Sequence, residues 1–116
     1  YTLSLHDALP ILHMKIITEI VEFNVEENLS KEEFIEIVND LELKFHSIQS
    51  GFIDTELLYD EKSQKWIMIQ HWESIEDLKS ASSKMFKDSS TEKFRKALKN
   101  QTVKMNIIPQ IKSWKL

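Results

Sequence analysis

Two histidines, His46 and His71, with a few carboxylates and aromatics, hold whatever chemistry residues 14–116 can perform. His71 stands in the segment 65–73 (KWIMIQHWE). Its ordinary pKa of about 6.5 suits proton abstraction near neutrality, which makes it the leading candidate general base. It shares a stripe with Ile67 and Ile69, while Glu19 lies between Ile17 and Val21 in the segment 15–24 (KIITEIVEFN). Facing one another across neighbouring strands, Glu19 would orient the imidazole and raise its basicity. The same two residues could equally form a structural hydrogen bond within the fold or at a subunit contact. The opposite stripe of 65–73 carries Trp66, Met68 and Trp72, able to wall a pocket for a flat aromatic ligand or to serve simply as core. Asp54 and Glu56 offer further acid–base groups, but charge on an edge strand also guards against aggregation. His46 falls at a helix C-terminus, where the dipole favours a cation, and no functional role follows for it.

Other chemistries find little support. The chain has no cysteine, which excludes disulfides, thiolate metal sites and Cys nucleophiles. The histidines lack the paired spacing of zinc sites, so no metal is expected. One glycine in the whole chain could hardly build a phosphate-binding loop. Ser80, Ser82, Ser83, Ser89 and Ser90 have no histidine near them in sequence, a weak basis for a nucleophilic triad. No apolar run approaches the roughly 18 residues of a membrane span, and the expectation is a soluble, cytoplasmic protein with no membrane partner. Charge is unevenly placed: residues 14–78 hold 5 basic against 16 acidic groups, and residues 79–116 hold 10 against 2. Lys84, Lys87, Lys93, Arg95, Lys96 and Lys99 would suit a nucleic-acid patch. Without interleaved aromatics they read better as a solvated surface complementing the acidic half, within one chain or across a dimer.

These residues need elements to position them, and 116 residues have room for one domain. Residues 1–11 (YTLSLHDALPI) show no helical or strand period and resemble the translation of a common sequencing-library adapter, as found at metagenomic contig ends. They lack the basic start and small-residue cleavage site of a signal peptide. Residues 1–13 are therefore set aside as a non-native tail, and the single domain is expected over 14–116.

Residues 15–24 read as a strand. Ser30 with Glu33 makes a capping box, and Phe34, Ile37, Val38, Leu41 and Phe45 recur at helical spacing behind it. Gly51 breaks the chain before a second strand, 52–59; residues 60–64 form a polar hairpin loop, and 65–73 is the third strand. Ser74 with Asp77 starts a helix bearing Ile75, Leu78, Ala81 and Met85. Residues 88–90 interrupt it, and Glu92 stands where a capping partner of Ser89 should, ahead of a short helix with Phe94, Ala97 and Leu98. Residues 102–108 and 110–114 make a last strand, with Pro109 marking an edge or a bulge.

The order β-α-β-β-α-α-β gives an α+β, ferredoxin-like fold: a four-stranded antiparallel sheet with helices on one face. Neither side of its central strands alternates cleanly apolar with polar, so the face away from the helices needs a cover. A homodimer, sheet against sheet, is the expectation.

This arrangement, with Gly51-Phe52-Ile53-Asp54 opening the second strand and His71-Trp72-Glu73-Ser74 leading into the helix, resembles the antibiotic biosynthesis monooxygenase family over residues 15–114. The resemblance implies a dimeric α+β barrel and, among members of known activity, cofactor-free oxygenation of anthrones and quinols or degradation of haem. The haem-degrading branch places an Asn mid-way along the first strand, a Trp in the helix after the third, and a His beyond it. Here 75–86 contains no Trp, no His follows His71, and Asn24 lies at the far end of its strand, so haem degradation is not expected. The anthrone-oxygenase branch uses Asn, Trp and Tyr in its pocket, roles that Trp66 or Trp72 and Tyr59 could fill. The resemblance thus implies a cofactor-independent monooxygenase of a quinol or polycyclic aromatic substrate. Its catalytic residues would be His71 and Glu19, and Trp66, Trp72, Tyr59 and Met68 would bind substrate. The alternative is a non-catalytic dimeric barrel that binds a small apolar ligand.

Overall fold

The computed structural model describes residues 15–116; the assignment of 1–13 as a tail lies outside them. Among the described residues four strands, β1 (Ile17–Phe23), β2 (Phe52–Asp60), β3 (Lys65–Trp72) and β4 (Lys104–Pro109), form one sheet in the order β2-β3-β1-β4. Every pairing is antiparallel. The α-helices, α1 (Lys31–Lys44), α2 (Ile75–Met85) and α3 (Glu92–Ala97), lie between the strands in sequence. The chain has the expected α+β, ferredoxin-like architecture, with β1 and β3 at its centre.

Local sequence explains the element ends. The Ser30 side chain accepts from the Glu33 backbone N–H at 3.1 Å, and the Ser30 N–H donates to Glu33 Oε1 at 2.9 Å, so the capping box is complete. Those bonds hold the exposed Glu33 carboxyl below its usual pKa. Ser74 likewise accepts from the Asp77 N–H, at 3.1 Å. The expected Ser89–Glu92 box does not form. Asp88 caps the 3-10 turn before α3 instead, accepting from the Ser90 N–H at 2.9 Å, and Glu92 pairs with Lys96 one turn on. Gly51 adopts a φ of +76°, and a Cβ there would collide with the Asp77 carboxylate; glycine is needed on both counts. The last strand is shorter than expected. It ends at Pro109; one further backbone bond follows, from the Gln110 N–H to the Ile16 carbonyl at 2.8 Å, and 110–116 lie outside any strand.

The core sits between the helices and one face of the sheet. Phe34, Val38 and Leu41 of α1 are buried against Phe23, Trp66, Met68 and Phe94. Phe34 meets Trp66 edge-on at 4.8 Å. A smaller cluster joins Ile17 and Trp72 to Leu78 and Ala81 of α2. On the outer face Ile20 and Ile69 lie opposite one another, with Ile67 beside Leu58 and Ile108 beside Thr18. Leu58 and Ile108 are exposed there, and no described element of this chain covers them. Lys99 of the basic half pairs with Glu27 of the acidic half. Among the described residues no helix is long and apolar enough to cross a membrane.

Candidate active site

Strand register decides which side chains share a face. Glu19 lies opposite Gln70, and His71 lies opposite Thr18 on β1 and Asp54 on β2. Successive residues of a strand point to opposite sides, so Glu19 and Gln70 face the helices while His71 faces outward. The expected Glu19–His71 pair is therefore not made. Glu19 and His71 are both present at mid-sheet, but they are one residue out of step. His71 instead places Nδ1 2.6 Å from Asp54 Oδ1 on the outer face.

Beneath the helices lies a cavity of about 410 Å³, lined by β1, β3, α2, α3 and the segment leading into β4. Its size falls within the usual range for small-molecule sites. Met68, Trp72, Phe94 and Leu98 make much of its wall apolar. Phe86 and Met105 are exposed at its rim, so the cavity opens beside the C-terminal end of α2 and the edge strand. Trp66 and Tyr59 do not join it. They line a smaller polar cleft, about 290 Å³, with Asn24, Lys31 and Lys99. The four expected aromatic and Met ligand contacts thus divide, Trp72 and Met68 on the apolar cavity and Trp66 and Tyr59 on the cleft.

The polar groups of the cavity are few and held in place. Glu19 is buried, and burial raises its carboxyl above the ordinary value of 4.5; the Trp72 indole N–H and the charge of His46 pull partly the other way. The Trp72 N–H, itself buried, has no partner in good hydrogen-bond geometry among the described residues. His46 is 3% exposed and lines the cavity. Its Nδ1 lies 2.5 Å from Glu42 Oε2, and Gln70 Nε2 lies 3.2 and 3.3 Å from its two ring nitrogens. Gln70 also donates to Thr55 Oγ1 at 2.8 Å. At the α3 side Arg95 Nε donates to Thr91 Oγ1 at 3.0 Å, and that hydroxyl lies 2.5 Å from the Met85 carbonyl. Among the described residues no cluster of three or more His, Asp or Glu could hold a metal ion.

Residues 16–97 match the profile of the family described as Antibiotic biosynthesis monooxygenase. The chain belongs to that family. The monooxygenase fold recurs in solved structures. SnoaB of Streptomyces nogalater, a cofactor-independent oxygenase, superposes with a TM-score of 0.65 at 16% identity, over 85% of this chain and 96% of SnoaB. An antibiotic biosynthesis monooxygenase assigned in Caulobacter crescentus gives 0.64 at 13% identity, over 92% and 99%. A conserved protein of Methanosarcina mazei gives 0.62 at 15% identity, over 88% and 99%. No curated protein matches the sequence at a significant level.

Of the residues lining this cavity, the sequence reading names Glu19, Met68 and Trp72 as site candidates, gives His46 and Arg95 no place in the site and does not single out Gln70. Gln70 carries a signal: it is the polar residue in the inward stripe Trp66, Met68, Gln70, Trp72. His46 also carries one, its spacing of four from Glu42, which puts both on one helical face. What sequence cannot show is that the 3-10 turn after α1 swings the imidazole under the sheet.

Proposed function

We propose that this member of the family is a cofactor-independent oxygenase of a small aromatic substrate with an acidic C–H, such as an anthrone or a quinol tautomer. Glu19 would be its general base, and Trp72 and Met68 would pack against the ring. One observation carries the reading: a buried carboxyl with a raised pKa sits in an otherwise largely apolar cavity of substrate size. Carboxylates tuned upward by burial are suited to proton transfer near neutrality.

The reaction balances without a cofactor. Glu19 removes the proton from the substrate CH₂, leaving a delocalised carbanion. That anion gives up an electron to dioxygen, and the two radicals combine through a new C–O bond to a peroxide anion. Glu19 returns its proton to the peroxide, and loss of water leaves a carbonyl at the former CH₂ carbon. One dioxygen is consumed, one oxygen atom enters the product and the other leaves as water. Glu19 ends as it began.

We also read the outer face as a homodimer contact. Ile20, Ile67 and Ile69 are half-buried at its centre, between Leu58 and Ile108 on the two edge strands. His71 and Asp54 would then lie at that contact rather than at the reacting carbon.

Oxygen uptake over a panel of anthrones and dihydroquinones tests the reading, with wild type, Glu19→Gln and His71→Ala run side by side. The expected result is uptake that Glu19→Gln abolishes and His71→Ala leaves within about twofold, since a group outside the cavity makes no contact in the transition state. Uptake lost only in His71→Ala would overturn the assignment of the base. Saturable ligand binding in the cavity with no uptake would favour the binding-module alternative, which the apolar lining also suits.

A further inference from the structure

A carboxylate in an apolar cavity is expensive to keep ionised, and a base must be ionised to act. The cavity wall supplies a device for this. Glu19 lies opposite Gln70 of β3 and Ile107 of β4, and Trp72, Ser82 of α2, Arg95 of α3 and His46 of the turn after α1 line the same cavity. Of these only His46 and Arg95 carry titratable groups. Arg95 is tied to Thr91 at the start of α3, and His71 with Asp54 lies across the sheet on the other face. His46 is the group whose charge acts on Glu19.

The imidazole cannot turn away. Phe52 stacks on it at 5.6 Å and 20°, and Phe45 and Trp72 meet it edge-on at 5.2 and 6.1 Å. Glu42 accepts only, so Nδ1 is a donor to it whatever the charge on the ring. The Gln70 amide can present either its oxygen or its nitrogen to the other side, and so serves the ring in both states. Glu42 reaches the surface with its side chain 24% exposed, while its Oε1 is buried without a partner among the described residues. A polar seam therefore runs from the cavity wall, which His46 shares with Glu19, through the imidazole to the partly exposed Glu42.

We propose that Glu42 and His46 are a positioning pair for Glu19: Glu42 fixes the imidazole, and the ring, when protonated, is the buried counter-charge that holds Glu19 as a carboxylate. The pair acts through Glu19 and makes no bond to the reacting carbon. This rests on the reading of Glu19 as the base.

The test is a ¹³C-carboxyl NMR titration of Glu19 in the full chain, wild type beside Glu42→Gln and His46→Gln. Both variants are expected to raise the midpoint of Glu19, by about tenfold in its acid constant for His46→Gln, the usual scale for losing a near opposite charge. Glu42→Asp, which keeps the charge, should restore part of the loss. Glu42 is partly exposed, so Glu42→Gln retains the fold even where His46→Gln proves too disruptive. A Glu19 midpoint that stays put or falls in folded Glu42→Gln overturns the proposal. The titration needs no substrate, so a shift as expected with no oxygen uptake on any compound would leave the pairing standing and remove the oxygenase reading. Where uptake is seen, the acid limb of its pH profile moves with the Glu19 midpoint.

Discussion

Replacing Glu19 with glutamine should make the protein more stable and, on the oxygenase reading, abolish oxygen uptake, and the pH dependence of the stability gain is the sharper test. Burial raises the Glu19 carboxyl above the 4.5 it has in an unfolded chain, so the native state binds this proton more tightly than the unfolded state. The stability this confers is full below pH 4.5 and is lost as pH rises from there through the folded-state pKa. Above that pKa the cost of burying the charge is fully expressed. Each tenfold change in the acid constant is worth about 1.4 kcal/mol. Glutamine has nearly the same shape and never charges, so it escapes the cost. The difference in melting temperature between Glu19→Gln and wild type should therefore widen from pH 4.5 upward and level off once Glu19 is ionised in the folded state. A gain of about 1 kcal/mol corresponds to roughly 4–8 °C in a domain of this size. Circular dichroism melts at several pH values measure the stability, and oxygen uptake measures the activity. Loss of a general base should lower the rate by about 10²–10⁴. A stability difference that does not depend on pH, or a gain confined to acid, would refute the argument, because it would mean that Glu19 is not desolvated.

Trp72 is 1% exposed and bridges the smaller core cluster and the cavity, so Trp72→Ala should cost about 3–5 kcal/mol in chemical denaturation, whatever its effect on turnover. Gly51→Ala forces an L side chain into the left-handed region against Asp77; a loss of at least about 1–2 kcal/mol is expected, and Asp77→Ala in the same chain should recover part of it. Ile20→Glu places a carboxylate at the middle of the outer sheet face, in the row that already holds Glu56. Analytical ultracentrifugation is expected to find the wild type a dimer and this variant a monomer, with the helix-side cavity unaltered.

Much of the fold is legible in the sequence because its signals are local. Ser30 and Glu33 announce a helix start by contacts three residues apart, and the alternation from Trp66 to Trp72 sorts the two faces of β3 without reference to the rest of the chain. The site is legible only in part, because it depends on facts that are not local. Whether Glu19 stands opposite Gln70 or His71 is a matter of register between strands about fifty residues apart, and either pairing leaves an apolar stripe on each face. His71 stands out in the sequence because an imidazole is the usual general base near neutrality. The cavity instead favours a carboxyl that burial has made less acidic. His46 reads as a dipole partner at the end of its helix, and only the turn that holds it, with Phe52 closing over the ring, brings it to the cavity that Glu19 also lines.

The pairing of β1 with β3 has a consequence for how this protein could fail. Gln70 and His71 are chain neighbours, so a shift of β3 by one residue would carry His71, with its Ile neighbours, under the helices and turn Gln70, Met68 and Trp72 to the outside. Both arrangements would bury a comparable apolar stripe, and the misaligned protein would keep much of its sheet. It would lack the cavity wall that surrounds Glu19, while offering the indole rings of Trp66 and Trp72 to the next molecule. Single-residue insertions in the β2–β3 hairpin should accordingly yield folded, sticky and inactive protein more often than unfolded protein. For this chain the fidelity of strand alignment, more than the strength of the core, separates the native fold from an aggregate.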